Sequence, residues 1–236
     1  MPVMTRTVFM HPLQDTLRAR SLLQRAQGAL QKWPEGFAGF RAHLYCWTAT
    51  REVRGWLRLV PGRRLEVCLP DVELRHYVQT SLERLANERT PRFFKDGDGR
   101  FLLTLDTTSN PHQGPRIQVH HHQDKRVVYG LDSTGLLRFV EREVAGLRSV
   151  TVFEEYVRTA PGRVLPIRLS TAWFDVTNGT HLGSELVSDT HRRVDHVWLP
   201  ASRHIVRTGR SGMQALRLEL DDHMLLSSSN FEISWY

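Results

Sequence analysis

The sequence has little of what usually betrays a function. It has only two cysteines, Cys46 and Cys68. They fall in predicted strands without CxxC spacing and read as a pair of buried free thiols, not as a metal clip. No apolar stretch is long enough to span a membrane. The opening MPVMTRTVFMHPLQDT lacks the apolar centre and cleavage site of a signal peptide, so a cytoplasmic location is expected. Nucleophile elbow, phosphate loop, dinucleotide fingerprint, HExxH and zinc-finger spacing are all missing. Gly97 and Gly99 sit in an Asp-Gly-Asp-Gly stretch without the spacing and closing glutamate of a calcium loop, so a hairpin turn is expected there. No cofactor is expected. Repeats, low-complexity tracts and linkers are also missing.

Lysine is almost absent: Lys32, Lys95 and Lys125 stand among 32 basic residues. The formal charge of +7 favours anionic partners. The arginines, however, are spread along the chain and often alternate with apolar residues. That pattern favours a solvated sheet face over a nucleic-acid groove, which needs a clustered patch. The composition is 40% hydrophobic and 24% charged, which is globular, and 236 residues can bury a core without disulfides or metal.

A single domain over 1–236 is expected. The first helix is placed at 12–35, with Asp15 or Thr16 as cap and Leu17, Leu22, Leu23, Ala26 and Leu30 as its apolar stripe. Early strands occupy 38–70. In the first, Phe40, Ala42, Leu44 and Cys46 alternate with Arg41, His43 and Tyr45. The second helix is placed at 71–90, with Asp71 as N-cap and Leu74, Val78, Leu82 and Leu85 as its stripe. An antiparallel meander is expected over 92–224, beginning with a strand at Arg92–Phe94, and a tail over 225–236, with a last short strand possible around Phe231, Ile233 and Trp235. Short strands at regular spacing with no helical pattern between them argue against βαβ units. The fold class is α+β, mainly β: a strongly curved antiparallel meander, an open or half barrel. Its two helices, both in the N-terminal half, cover the concave face.

The histidine run His120-His121-His122 places His120 and His122 on one strand face. They could hold a metal if His112, Asp124 or Asp106 supplied a third ligand, but a polar, unliganded strand end is the preferred reading. Asp189 and His191, with Asp195, His196, Arg192 and Arg193, are candidates for acid–base work; a polar hairpin turn is the preferred reading there. Asp221-Asp222-His223 is a weaker cluster. For ligand binding, Trp56, Phe101, Phe139 and Trp173 are the expected walls of an apolar cavity, with arginines at its rim for an anionic head group.

Several segments together resemble a known family. They are Ala19-Arg20-Ser21-Leu22-Leu23, Trp33 with Phe37-Ala38-Gly39-Phe40, Gly55 with Arg58-Leu59, Leu65-Glu66-Val67, and Arg203-His204-Ile205-Val206-Arg207. The family is an uncharacterised one, found chiefly in cyanobacteria and plastid-bearing plants, known as domain of unknown function 3386. The resemblance covers about Ala19 to Arg210; the triple histidine is not part of it. It implies a fold similar to bacterial lipoprotein carriers, a curved half barrel with helices across its mouth that holds acyl chains.

The expected function is binding of a hydrophobic or amphipathic small molecule between sheet and helices. One alternative is an enzyme in the same cavity, using an Asp–His pair or a His-bound metal. The other is a basic module for nucleic acid or an anionic membrane, with nucleic acid disfavoured.

Overall fold

The computed structural model describes residues 12–106, 114–121, 125–210 and 212–227. The elements are α1 (Pro12–Ala29), β1 (Phe40–Thr48), β2 (Glu52–Leu59), β3 (Glu66–Cys68), α2 (Val72–Arg89), β4 (Leu102–Asp106), β5 (Arg116–His120), β6 (Lys125–Leu131), β7 (Leu137–Val144), β8 (Leu147–Ala160), β9 (Arg163–Asp175), β10 (His181–Val194), β11 (Val197–Gly209) and β12 (Gly212–Leu225). The strands form one open, mostly antiparallel sheet in the order β3-β2-β1-β12-β11-β10-β9-β8-β7-β6-β5-β4. Strands β4 to β12 follow one another as the sequence pattern requires. Among the described strands, the pairing of β12 with β1 joins elements distant in the chain. The expected mainly-β, α+β fold is thus the one that forms. No described helix is long and apolar enough to cross a membrane.

Turn chemistry sets the strand ends. Between β6 and β7, Asp132 Oδ1 accepts from the amides of Thr134 (2.8 Å) and Leu136 (3.0 Å). Between β7 and β8, Ala145 and Gly146 both have positive φ, 50° and 79°, as a two-residue hairpin turn demands.

The residues cluster into two compact units. One comprises Met1–Ala29, Phe93–Val152 and Trp173–Thr180; the other comprises Leu30–Arg92, Phe153–Ala172 and His181–Tyr236. In the first unit, α1 packs against β4. Its buried residues are Ala19, Leu23 and Ala26, while Leu17 is 67% exposed, so the apolar stripe is narrower than the spacing implied. Helix α1 starts at Pro12, which puts Asp15 and Thr16 inside it rather than at its cap. Proline suits a first helical turn, where its missing N–H would go unused anyway. Two further corrections fall at 92–100. Residues Arg92–Phe94 are not a strand, and the Asp-Gly-Asp-Gly stretch is not a hairpin; Phe94–Asp96 and Asp98–Arg100 are two short 3₁₀ turns. The helix holds them in this form. Arg20 donates to the carbonyls of Gly99 and Phe101, and Gln27 Nε2 donates to Asp98 Oδ2 at 2.8 Å. The Tyr129 hydroxyl donates to the same Asp98 oxygen at 2.7 Å. Burial, followed by the Asp98 carboxylate, pushes the Tyr129 phenol well above its usual range.

In the second unit the period-two alternation of β1 appears as expected. Phe40, Ala42, Leu44 and Cys46 are buried, while His43 is exposed. They join Leu57, Leu199, Ile205 and Leu218 in one core cluster, onto which α2 lays Leu74, Val78, Leu82 and Leu85. Each such leucine contributes about 2 kcal/mol of burial. Burial pushes the Cys46 thiol up to about 12. Cys68 lies on the three-residue strand β3 and is exposed, so the two thiols are not a buried pair.

The first helix also stops sooner than expected, at Ala29. Leu30 bridges to Val164, and the Gln31 amide donates to the Val164 carbonyl at 2.7 Å, so this stretch is extended. Trp33 is fixed by its own amide on the Arg89 carbonyl (2.9 Å) and by Nε1 on the Trp198 carbonyl (3.1 Å). Strand β12 runs to Leu225, one residue beyond the expected end of the meander at 224. The possible last strand around Phe231, Ile233 and Trp235 lies outside the described residues.

Asp71 caps α2 as expected: its Oδ1 accepts from the Leu74 amide at 2.8 Å, and its other oxygen meets Arg51. Asp71→Ala should cost roughly 1 kcal/mol in urea denaturation, and Asp71→Asn much less, because the amide oxygen still caps.

Candidate functional site

The most ligand-like feature of the first unit grows out of one cross-strand row. Arg116 on β5 pairs with Gly130 on β6, Gly130 with Phe139 on β7, and Phe139 with Val152 on β8. Directly paired residues share a sheet face. A Cβ on Gly130 would sit 2.0 Å from Phe139 Cε1, so only glycine lets the ring lie across the strand. The Arg116 guanidinium rests over that ring, 5.1 Å from its centroid, and among the described residues its buried Nε has no hydrogen-bond partner. Phe139, Val150 and Val152 floor a groove of about 570 Å³, and Arg116, Arg138, Asp132, Ser133 and Glu141 line its polar part. Gly130 and its neighbour Tyr129 face opposite sides of the sheet. Tyr129 reaches Asp98, which α1 also holds. The groove therefore opens on the face away from α1, not between sheet and helix.

The second unit holds a buried polar centre instead. Arg203 on β11 and Asp189 on β10 face each other in register and form a two-pronged ion pair, Nε to Oδ1 and Nη2 to Oδ2, both 2.7 Å. Arg203 Nη1 also donates to the carbonyl (2.8 Å) and hydroxyl (3.1 Å) of Ser81 on α2. The pair thus fastens the helix to the sheet. Arg89, at the end of α2, donates through Nη1 to the Gln31 carbonyl at 2.8 Å, while its Nη2 is buried without a hydrogen-bond partner. Burial pulls the Arg89 guanidinium down to about 10. Both ring nitrogens of His191 are likewise buried without partners. Burial, reinforced by the charge of Arg89, brings its pKa down to about 4.

Asp189 and His191 are therefore in one neighbourhood, but they are not a hydrogen-bonded acid–base pair, since Arg203 takes both carboxylate oxygens. Nor do they sit in a hairpin turn. Strand β10 runs through to Val194, and the turn is Asp195-His196, with Asp195 at φ 51°. Asp222 meets His43 at 3.0 Å, and His223 donates to the Pro200 carbonyl at 2.8 Å.

The aromatic candidates separate. Phe139 floors the groove, and Trp173 on β9 belongs to the same unit. Phe101 packs on His121 at 4.2 Å with Arg100 over its ring. Trp56, 41% exposed on β2 beside His43 and Cys68, belongs to the other unit. His120 is exposed and shares a 2.8 Å hydrogen bond with Thr104 Oγ1. His122, His112 and Asp124 lie outside the described residues. Among the described residues no group of three or more His, Cys, Asp and Glu is placed to hold a metal.

Sequence reasoning did not single out Arg116, Gly130, Arg89 or Ser81. The available signal was weak: a glycine inside the apolar run Val127–Leu131 marks a close approach by a neighbour. Arg203 stood within a family-like segment but had no role attached.

Taken together, the described residues form an open, mostly antiparallel sheet with two helices, which defines an α+β architecture. A family model matches residues 14–226, and the chain belongs to that family, described as a protein of unknown function (DUF3386). Among solved structures, the chain is similar to a LolA superfamily protein from Nitrosomonas europaea, with 13% identity, 89% of this chain and 94% of that chain covered, and a TM-score of 0.37. It is also similar to a Vibrio parahaemolyticus domain provisionally assigned to outer-membrane lipoprotein sorting, with 9% identity, coverages of 92% and 95%, and a TM-score of 0.32. No curated protein matches it.

Removing one partner of the buried pair strands the other. Asp189→Ala should cost about 3–5 kcal/mol, and the double variant Asp189→Leu/Arg203→Met clearly less, read by urea denaturation. His191 gives a pH signature. The folded protein keeps it neutral down to about pH 4, whereas the unfolded chain protonates it near 6.5. Stability is therefore full above about pH 6.5 and falls as the pH drops towards 4, by at most about 3 kcal/mol from this residue. His191→Gln should flatten that part of the acid curve; an unchanged curve would contradict the assignment.

Proposed function

We propose that the protein is a binding protein for an amphipathic small molecule with an anionic head group, seated in the β5–β8 groove. The observation that carries this reading is Arg116: a guanidinium held on the Phe139 ring at the groove wall, with a buried Nε that has no hydrogen-bond partner among the described residues. A buried donor without a partner costs free energy, and an oxyanion in the groove removes that cost while meeting a charge. The floor of Phe139, Val150 and Val152 offers apolar burial for an attached chain or ring. The volume of about 570 Å³ lies in the range of small-molecule sites. Arg138 supplies a second cation at the lining.

Thermal unfolding with saturated and unsaturated fatty acids, lysophosphatidic acid and neutral monoglycerides tests it. Anionic amphiphiles at about a hundredfold over Kd should add about 2.7 kcal/mol of stability, and monoglycerides much less. Arg116→Gln should weaken the anionic members about tenfold or more. Gly130→Ala, which displaces Phe139, should abolish binding. No shift with any member, or equal shifts in Arg116→Gln, would overturn the proposal.

A further inference from the structure

The face of the second unit opposite α2 carries a second, different surface. Its core-facing residues, Leu44, Cys46 and Leu218, alternate along β1 and β12 with residues that point away from the core. The register aligns these outward residues in rows. One row runs across five strands as Arg54, Tyr45, Glu219, Ser202 and Thr190. The next places Glu52, Trp47 and Arg217 side by side. Apart from Arg217, these residues together with Arg192 and Asp221 line an open groove of about 650 Å³, again the size of a small-molecule site.

Three properties limit what this groove can take. First, it holds an aromatic pair: the Tyr45 and Trp47 rings are nearly parallel (17°), with centroids 6.1 Å apart. Arg54 and Arg217 hold them from the neighbouring strands, 5.6 Å and 5.4 Å from the ring centroids. Second, its charges are matched within the face. Arg54 pairs with Glu52 at 2.7 Å, Arg192 with Asp221 at 2.8 Å, and Arg217 with Glu219. Glu52 is held below its usual range by Arg54 and, less strongly, by the Trp47 indole N–H. A face so balanced gives a polyanion no net attraction. Third, its lining is rich in groups that both donate and accept. The Thr190 and Ser202 hydroxyls are 2.7 Å apart, and carboxylates and guanidinium groups surround them. Such a lining disfavours a hydrocarbon ligand.

From this geometry we infer that the outer β1/β12 groove is a binding site for a neutral oligosaccharide. A sugar ring has one face of C–H groups that lies on an aromatic ring, and a rim of hydroxyls that both donate and accept. Aromatic faces ringed by paired carboxylates, guanidinium groups and hydroxyls answer both demands. Rings 6.1 Å apart meet successive units of a short chain rather than one monosaccharide.

Indole fluorescence and calorimetric titration with cellotetraose, maltotetraose and chitotetraose test the inference. At least one should bind with Kd at or below about 1 mM. Its affinity should stay constant from roughly 50 to 500 mM salt, because no counterions are released. Trp47→Ala and Tyr45→Ala should each weaken binding about tenfold or more. Should either unfold the sheet, Ser202→Ala and Thr190→Val, which remove the hydroxyls without enlarging the side chains, carry the same expectation. Absence of binding by all three sugars, binding undiminished in every variant, or binding only to heparin with a steep salt dependence would each overturn it. The fatty-acid response of the Arg116 groove should be unchanged in Trp47→Ala.

Discussion

Strand register is the constraint on which the rest of this structure depends. Because side chains alternate strictly along a strand, directly paired residues form rows on one face. The rows then decide which chemistry meets which. Slipping β6 by one residue would replace Gly130 with Tyr129 beneath the Phe139 ring, where a side chain cannot fit, and would strip Arg116 of its aromatic support. A slip of β1 would send Tyr45 and Trp47 into the core and Leu44 and Cys46 out of it.

The Asp189–Arg203 pair is the polar exception in the core of the second unit. An ion pair among leucines is a poor source of stability compared with apolar residues of the same size, because both charges must leave water. Its geometry points to a role in specifying position. Two strands supply the pair, and Ser81 on the helix receives the remaining donor, so α2 has one preferred seat on the sheet. Nearby, Arg89 Nη2 and both His191 ring nitrogens have no hydrogen-bond partner among the described residues, and burial holds the His191 imidazole below its usual range.

Much of the fold was legible in the sequence. The alternation in β1 and in the long strands, the Asp71 cap and the α2 stripe were plain because each rests on local spacing. The end of α1 was not legible, because Leu30 and Gln31 are drawn into extended structure by Val164, a partner more than a hundred residues away. The 3₁₀ turns at 94–100 were missed for the same reason: Arg20, Gln27 and Tyr129 shape them from outside the segment. Phe139 was singled out and does floor a groove, while Trp56 stands in the other unit. The groove itself depends on a four-strand row that no single segment displays. Asp189 and His191 were identified as neighbours, but the arginine that claims the carboxylate lies on the next strand.

The two ends of the sheet are its shortest parts. Strand β3 has three residues and β4 has five, whereas β10 and β12 have fourteen each. An incoming strand from another molecule would find only a few free backbone groups to pair with, and at β3 it would meet the exposed, charged Glu66. The long strands that could template aggregation are those flanked on both sides within the same chain. Among the described strands, short edges leave little backbone for edge-to-edge growth.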